Sequence, residues 1–211
     1  MSFIVGIDLD NTIINYNNSF KDTASKLNLI SEYWITNNLF SSNNFLHKKI
    51  IKNHILSSVS GQQNWEYLQG QVYGRDIHRA TIFPGVSNFL LHCRKREIKV
   101  YIISHKTEYG HFDKHKIHLR NAALELLKNK NIISSENGVS KENIFFQNTR
   151  NEKIGIISKL HCDYFIDDLH QVFSEPNFPS NCKKILFNDP RCYTDILCFN
   201  SWYKINKYFF K

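Results

Sequence analysis

The chain has 211 residues, a hydrophobic share of 42% and a formal charge of +8, which fits one globular domain, or one domain with an insertion, and gives it enough apolar residues for a core. No apolar run approaches the ~20 residues that a membrane span needs, and the start, MSFIVGIDLD, has neither the basic segment nor the small-residue cleavage site of a secretory leader. The five cysteines (Cys93, Cys162, Cys182, Cys192, Cys198) are odd in number and form no Cys-x-x-Cys, which points to a reduced, cytoplasmic protein; Cys182 and Cys192 are the pair weighed for a bridge.

Phe3–Ile14 reads FIVGIDLDNTII. Its first five residues are β-prone and almost wholly apolar, the pattern of a strand buried on both faces of a parallel sheet. That strand runs into Asp8, with Asp10 and Thr12 on alternate positions. From Asn15 to Thr81 no convincing strand follows. Helices are expected near Ser19–Leu29, Asn44–Ser57 and Gln62–Leu68, punctuated by Asn and Ser clusters. The segment is too long for a strand-to-helix loop, so 15–81 reads as a mostly helical cap inserted after the first strand, with Trp65 and Tyr73 as core residues of the cap, the alternative being that they face a substrate. Residues 1–14 and 82–211 then form the main domain.

Phe83-Pro84-Gly85 restarts the regular pattern, with Pro84 where a helix begins. Val86, Phe89, Leu90 and Cys93 mark the apolar face of a helix reaching about Arg96. Lys99–Ser104 (KVYIIS) is a second buried strand, ending in a hydroxyl. A loop with several His and Lys residues leads to a helix with Leu119, Ala123, Leu126 and Leu127 on one face. Ile144–Phe146 is a short strand, and Asn151–Leu160 a helix with Ile154 and Ile157 inward. Tyr164–Ile166 is a strand that runs into Asp167 and Asp168, Lys184–Phe187 another, and Ser201–Tyr208 a closing helix. Strands alternating with helices predict an α/β fold: a Rossmann-like parallel sheet flanked by helices, with right-handed crossovers.

Three strands end in groups of catalytic type: Asp8 with Asp10, Ser104, and Asp167 with Asp168. Carboxylates at a buried strand's end are costly unless charge compensates them. A divalent cation would do so, at the end of the sheet where open α/β folds bind ligands. The layout resembles the four motifs of the haloacid dehalogenase-like (HAD) phosphohydrolases, over Phe3–Ile14 and about Phe83–Phe173. The stretches WEYLQGQVYG (Trp65–Gly74) and SHKT (Ser104–Thr107) also look like a poorly characterised subgroup of that superfamily.

The resemblance implies a Mg²⁺-dependent phosphomonoester hydrolase. Asp8 would be nucleophile and metal ligand and carry an aspartyl-phosphate. Asp10 would protonate the leaving oxygen, then activate water, with its carbonyl on the metal. The two carboxyls would need different proton affinities. Thr12 would brace the loop, Ser104 and the His105 backbone N–H would hold phosphoryl oxygens, and a lysine would stabilise the transferred group. Lys153 is preferred for that lysine, with Lys159 as rival. Asp167 and Asp168 would complete the metal site, with Asp167 favoured as direct ligand. Gln69, Tyr73, Arg75 and Lys106 are candidates for substrate contact. His111, His115 and His118 have helix-like spacing without a carboxylate or cysteine partner, and read as a solvated stretch.

The charge of +8 suggests an anionic partner. The basic residues are dispersed, with short clusters at Arg94–Arg96 and Lys114–Lys116, and no nucleic-acid-binding signature accompanies them. A cap over the site favours a small phosphorylated metabolite that can be enclosed, with sugar phosphate as first choice and nucleoside monophosphate as second, though no residue dictates that order; a nucleic-acid end is the alternative that would use the charge. The other rivals are a dehalogenase, disfavoured by Asp10, and a non-catalytic binding module, disfavoured because every motif position is filled. Oligomeric state has no signal in the sequence.

Overall fold

The computed structural model describes residues 3–39, 47–112, 115–134, 136, 138–189 and 193–211. In chain order the strands and helices are β1 (Ile4–Ile7), β2 (Ile14–Asn15), α1 (Asn17–Lys26), α2 (Glu32–Leu39), α3 (His47–Leu56), α4 (Gly61–Tyr73), β3 (Thr81–Ile82), α5 (Val86–Lys95), β4 (Lys99–His105), α6 (Leu119–Asn129), β5 (Ile144–Gln147), α7 (Arg150–Lys159), β6 (Tyr164–Asp167), α8 (His170–Phe173), β7 (Lys183–Phe187), β8 (Leu197–Phe199) and α9 (Trp202–Phe209). Two compact units emerge. One comprises Met1–Ile14, Ile82–Lys106 and Leu127–Lys211; the other comprises Asn15–Thr81 and Thr107–Leu126.

The first unit is built on a six-stranded sheet in the order β5-β4-β1-β6-β7-β8. Every neighbouring pair is parallel, with Ile7 opposite Ile102 on β4 and Ile166 on β6. Parallel strands are buried on both faces, hence the near-continuous apolar runs. On one face Tyr101, Ile103, Phe165 and Leu186 pack with Ile154 and Ile157 of α7. On the other, Phe187 meets Trp202 of α9, which in turn meets Phe89 of α5. The chain runs outward from β1 to β4 and β5 on one side and through β6, β7 and β8 on the other. The direction switches at β1, and the carboxyl ends of β1 and its neighbours β4 and β6 lie where open sheets of this kind bind ligands.

Gly85 shows how one residue serves this packing. It has φ +96°, and a Cβ there would stand 2.9 Å from the Cβ of Trp202. Gly85→Ala combines a left-handed backbone with that clash, so it should lower unfolding free energy by about 1–3 kcal/mol. A urea midpoint equal to that of the native chain would contradict this.

The second unit is helical, with α1, α3 and α4 packed on one another. Trp65, 4% exposed, stacks on Phe20, as expected of a core residue. The buried Asp76 accepts from the Thr23 hydroxyl at 3.0 Å. The structure adds elements that the sequence pattern does not announce: α2, α8, β8 and the two-residue strands β2 and β3. β2 and β3 begin and end the stretch in which no strand was expected. The weighed Cys182–Cys192 pair and the basic cluster Lys114–Lys116 each include a residue outside the described ones. Among the described residues, no helix is long and apolar enough to cross a membrane.

Candidate active site

Asp8 follows β1, and its backbone N–H still donates to Ile166 O at 2.8 Å, so the β1–β6 ladder carries it to the sheet's end. The chain then turns sharply. The N–H groups of Ile13 and Ile14 both donate to Leu9 O, and Asn11 N–H donates to Ile14 O, with Asn11 at φ 62°. Asparagine tolerates that left-handed conformation better than most residues. The turn is held from outside by Trp202, whose indole N–H donates to Thr12 O at 2.8 Å. The Thr12 hydroxyl, wholly buried, lies 3.4 Å from Asp8 Oδ2.

Lys153 is the centre of the arrangement. α7 starts at a capped turn in which Thr149 Oγ1 accepts from Glu152 N–H, while Glu152 Oε2 accepts from Asn148 N–H. Lys153 lies in that first turn. Its side chain is fully buried, and its ammonium donates to Asp8 Oδ1 and to Asp167 Oδ2, each at 2.6 Å. The other oxygen of Asp167 accepts from Leu169 N–H at 2.9 Å. Lys159, the rival from sequence, is exposed at the far end of the same helix.

Asp8, Asp167 and Asp168 each offer a carboxylate oxygen, all within 4.8 Å of one another. Among the described residues this is the group arranged to hold a metal; the three histidines form none. Three carboxylates and one ammonium leave two negative charges over within these four groups. The Asp8 pKa is raised to about 6 in all: burial is the largest influence and raises it, Lys153 lowers it, and Asp167 and Asp10 raise it. Burial alone would lower the Lys153 pKa, but Asp167 and Asp8 outweigh it and hold the ammonium above its ordinary range. Hard oxygen donors and an excess of two negative charges fit one Mg²⁺ ion.

The remaining predicted residues fall as follows. Ser104, 1% exposed, is the last residue but one of β4, opposite Phe146 of β5; the sequence pattern ends the strand at Ser104, whereas the ladder continues to His105 opposite Gln147. His105 ends the strand; burial, then Lys153, lowers its pKa and so favours the neutral ring, and its buried Nδ1 has no partner among the described residues. Lys106 reads from the sequence as a substrate contact. In the structure its ammonium is buried and bonded to both oxygens of Asp10, at 2.7 and 3.0 Å. The first unit thus brings together Asp8, Asp10, Thr12, Ser104, His105, Lys106, Lys153, Asp167 and Asp168. Gln69, Tyr73 and Arg75 belong to the second unit, where Tyr73 packs edge-on against Tyr16 and Phe20 and Arg75 is exposed. Trp202 is the site residue that sequence reasoning missed. The thiols of Cys93, Cys162 and Cys182 are pushed up to about 12 by burial, which disfavours their thiolates at neutral pH.

No protein-family model matches the sequence, and no curated protein matches it. Solved structures do. A haloacid dehalogenase-like family hydrolase from Streptococcus pneumoniae is 13% identical, with a TM-score of 0.60, over 99% of this chain and 98% of that one. A HAD-superfamily hydrolase of subfamily IA from Geobacter sulfurreducens is 10% identical, with a TM-score of 0.56, over 98% and 96%. A predicted phosphoglycolate phosphatase from Haemophilus somnus is 11% identical, with a TM-score of 0.54, over 99% and 98%. A parallel sheet of order β5-β4-β1-β6-β7-β8 matched along nearly its whole chain to such proteins has one assignment: this chain has the haloacid dehalogenase-like fold.

Proposed function

We propose that the protein is a Mg²⁺-dependent phosphomonoesterase acting on a small phosphorylated metabolite, with sugar phosphates as the first substrate class. The observation that carries this reading is the Lys153 bridge between Asp8 and Asp167, with Asp168 beside them. Phosphate esters are anionic and repel nucleophiles, so their hydrolysis is favoured by a nucleophile held beside fixed positive charge, and a carboxylate can be that nucleophile. That arrangement is what the carboxyl ends of β1 and β6 present.

The chemistry assigned to the residues is as follows. An Asp8 carboxylate oxygen attacks phosphorus. The ester P–O bond breaks, its electron pair stays on the leaving oxygen, and Asp10 gives that oxygen a proton. Water then attacks the phosphorus of the aspartyl-phosphate and gives a proton to Asp10; the bond to Asp8 breaks and inorganic phosphate leaves. Lys153 holds Asp8 in place and offsets charge on the transferred group. Ser104 and the His105 N–H are the proposed phosphoryl contacts. Successive N–H groups of a strand point to opposite sides, and that of Lys106 donates to Gln147 O of β5. The His105 N–H therefore faces the β1 side, where Asp8 lies.

Asp8, Asp168 and the Asp10 carbonyl would hold Mg²⁺, which supplies Lewis-acid neutralisation of the phosphoryl charge when bound. Sequence alone favours Asp167 as direct ligand. Because both its oxygens already accept, from Lys153 and from Leu169 N–H, Asp168 is the better candidate and Asp167 the residue that orients the lysine. Asp8 is held at about 6 in the absence of metal. Below that pH a cation has to displace its proton, so Mg²⁺ affinity should rise about tenfold per pH unit up to about pH 6 and level off above it. Calorimetric titration between pH 5 and 7.5 reads this directly, and a flat affinity across that range would contradict it.

Phosphate release from a panel of sugar phosphates, nucleoside monophosphates and end-phosphorylated oligonucleotides tests the substrate class. Sugar phosphates should give the highest kcat/KM. Preference for the oligonucleotides, with steep loss in salt, would move the assignment to nucleic-acid ends.

A further inference from the structure

The nucleophile Asp8 has its own lysine, and so does the second carboxylate. Lys106 Nζ lies 2.7 Å from Asp10 Oδ2 and 3.0 Å from Oδ1, with side-chain exposures of 2% for the lysine and 18% for the aspartate. A solvated surface pair would be worth little. This ammonium has been taken out of water, which costs several kcal/mol unless its geometry is good. Its backbone is fixed too, since Lys106 N–H donates to Gln147 O at 2.9 Å and continues the ladder between β4 and β5.

We propose that Lys106 is a positioning residue for the reaction: its ammonium sets the direction of the Asp10 carboxyl, so that Asp10 gives and takes its proton at one fixed place. This rests on the phosphatase reading above. The backbone of the turn is already held by the bonds among Leu9, Asn11, Ile13 and Ile14 and by Trp202. Those bonds hold the backbone and not the side-chain torsion of Asp10, and a cation bonded to both of its oxygens restrains that torsion. Misplacement of an acid/base group by about 1 Å can cost about a hundredfold, which is ample reason to bury a lysine for this purpose.

The test compares Lys106→Met with the native chain on two esters. Glycerol phosphate has an alkyl leaving oxygen that needs a proton; 4-nitrophenyl phosphate has a leaving oxygen that does not need one at neutral pH. Water activation is common to both esters, so the first step is compared: in a single turnover, release of the leaving group should slow about a hundredfold for glycerol phosphate and less than about fivefold for the nitrophenyl ester, with each KM within about threefold of native. Lys106→Arg, which keeps the charge, should recover at least about a tenth of the lost rate. Equal losses in that first step would overturn the proposal, because a merely structural lysine would not distinguish leaving groups. If Lys106→Met fails to fold, the same contrast between esters is read on Lys106→Arg. A crystal structure of the variant reads the claim without turnover: the Asp10 carboxyl should leave its place, and an unmoved carboxyl would overturn it. Should the native chain release phosphate from neither ester, the phosphatase reading fails, and the Asp10 position in that crystal structure decides the positioning claim alone.

Discussion

Lys153→Met should cost about 3–5 kcal/mol of folding free energy at pH 7.5 without metal, the usual penalty for removing one partner of a buried ion pair. The ammonium has no exposed surface, and it bonds at 2.6 Å to both Asp8 and Asp167, of which Asp167 is wholly buried. Methionine fills a similar volume, so the loss is electrostatic rather than a cavity. Two features mark that origin. The deficit should shrink toward pH 5, because Asp8 then takes up a proton, and it should shrink again in millimolar Mg²⁺. Urea unfolding at two pH values, with and without metal, separates these effects. A deficit below about 1 kcal/mol under all conditions would mean that the lysine is not the charge on which the site depends.

Asp8→Asn should abolish phosphate release, with a loss of at least about 10⁴-fold in kcat, since the nucleophile is removed. The same change should stabilise the metal-free protein. The Asp8 carboxyl is raised from 3.8 to about 6 in the folded chain, so the native state holds its proton more tightly than the unfolded state does. The resulting penalty is absent below about pH 3.8, grows as pH rises and is complete above about pH 6, at roughly 2–3 kcal/mol. Asparagine carries no charge there and keeps an oxygen for Lys153. An active variant, or one markedly less stable than the native chain at pH 7.5 without metal, would contradict this account. Gain of stability with loss of activity is the signature of a residue kept for chemistry.

Much of this site is legible in the sequence because its parts lie where apolar strands stop. FIVGI ends in Asp8, KVYIIS in Ser104 and YFI in Asp167, and a polar group in that position has few structural uses. The choice of Lys153 over Lys159 is legible as well. Ile154 and Ile157 define the inward face of α7; Lys153, four residues before Ile157, shares it, while Lys159, two residues after, points away. The link between Lys106 and Asp10 is different. It spans 96 positions and depends on the register that sets Ile7 opposite Ile102, which no local pattern encodes. Trp202 is hidden for the same reason: its indole reaches back 190 positions to the Thr12 carbonyl. β8 has three residues, too few for a periodic signal, and α2 (EYWITNNL) mixes aromatic and β-branched residues with asparagines, a composition that weakens a helical pattern.

The most direct test of the central claim is to stop the reaction with acid during turnover and find the phosphoryl group. With 4-nitrophenyl phosphate and Mg²⁺, mass spectrometry of the digested native chain should show one phosphoryl group on the peptide that carries Asp8. That modification should be absent in chelator and absent from Asp8→Asn. Phosphate release with no label on that peptide, or with label on another residue, would contradict Asp8 as nucleophile, and no release at all would remove the phosphatase reading.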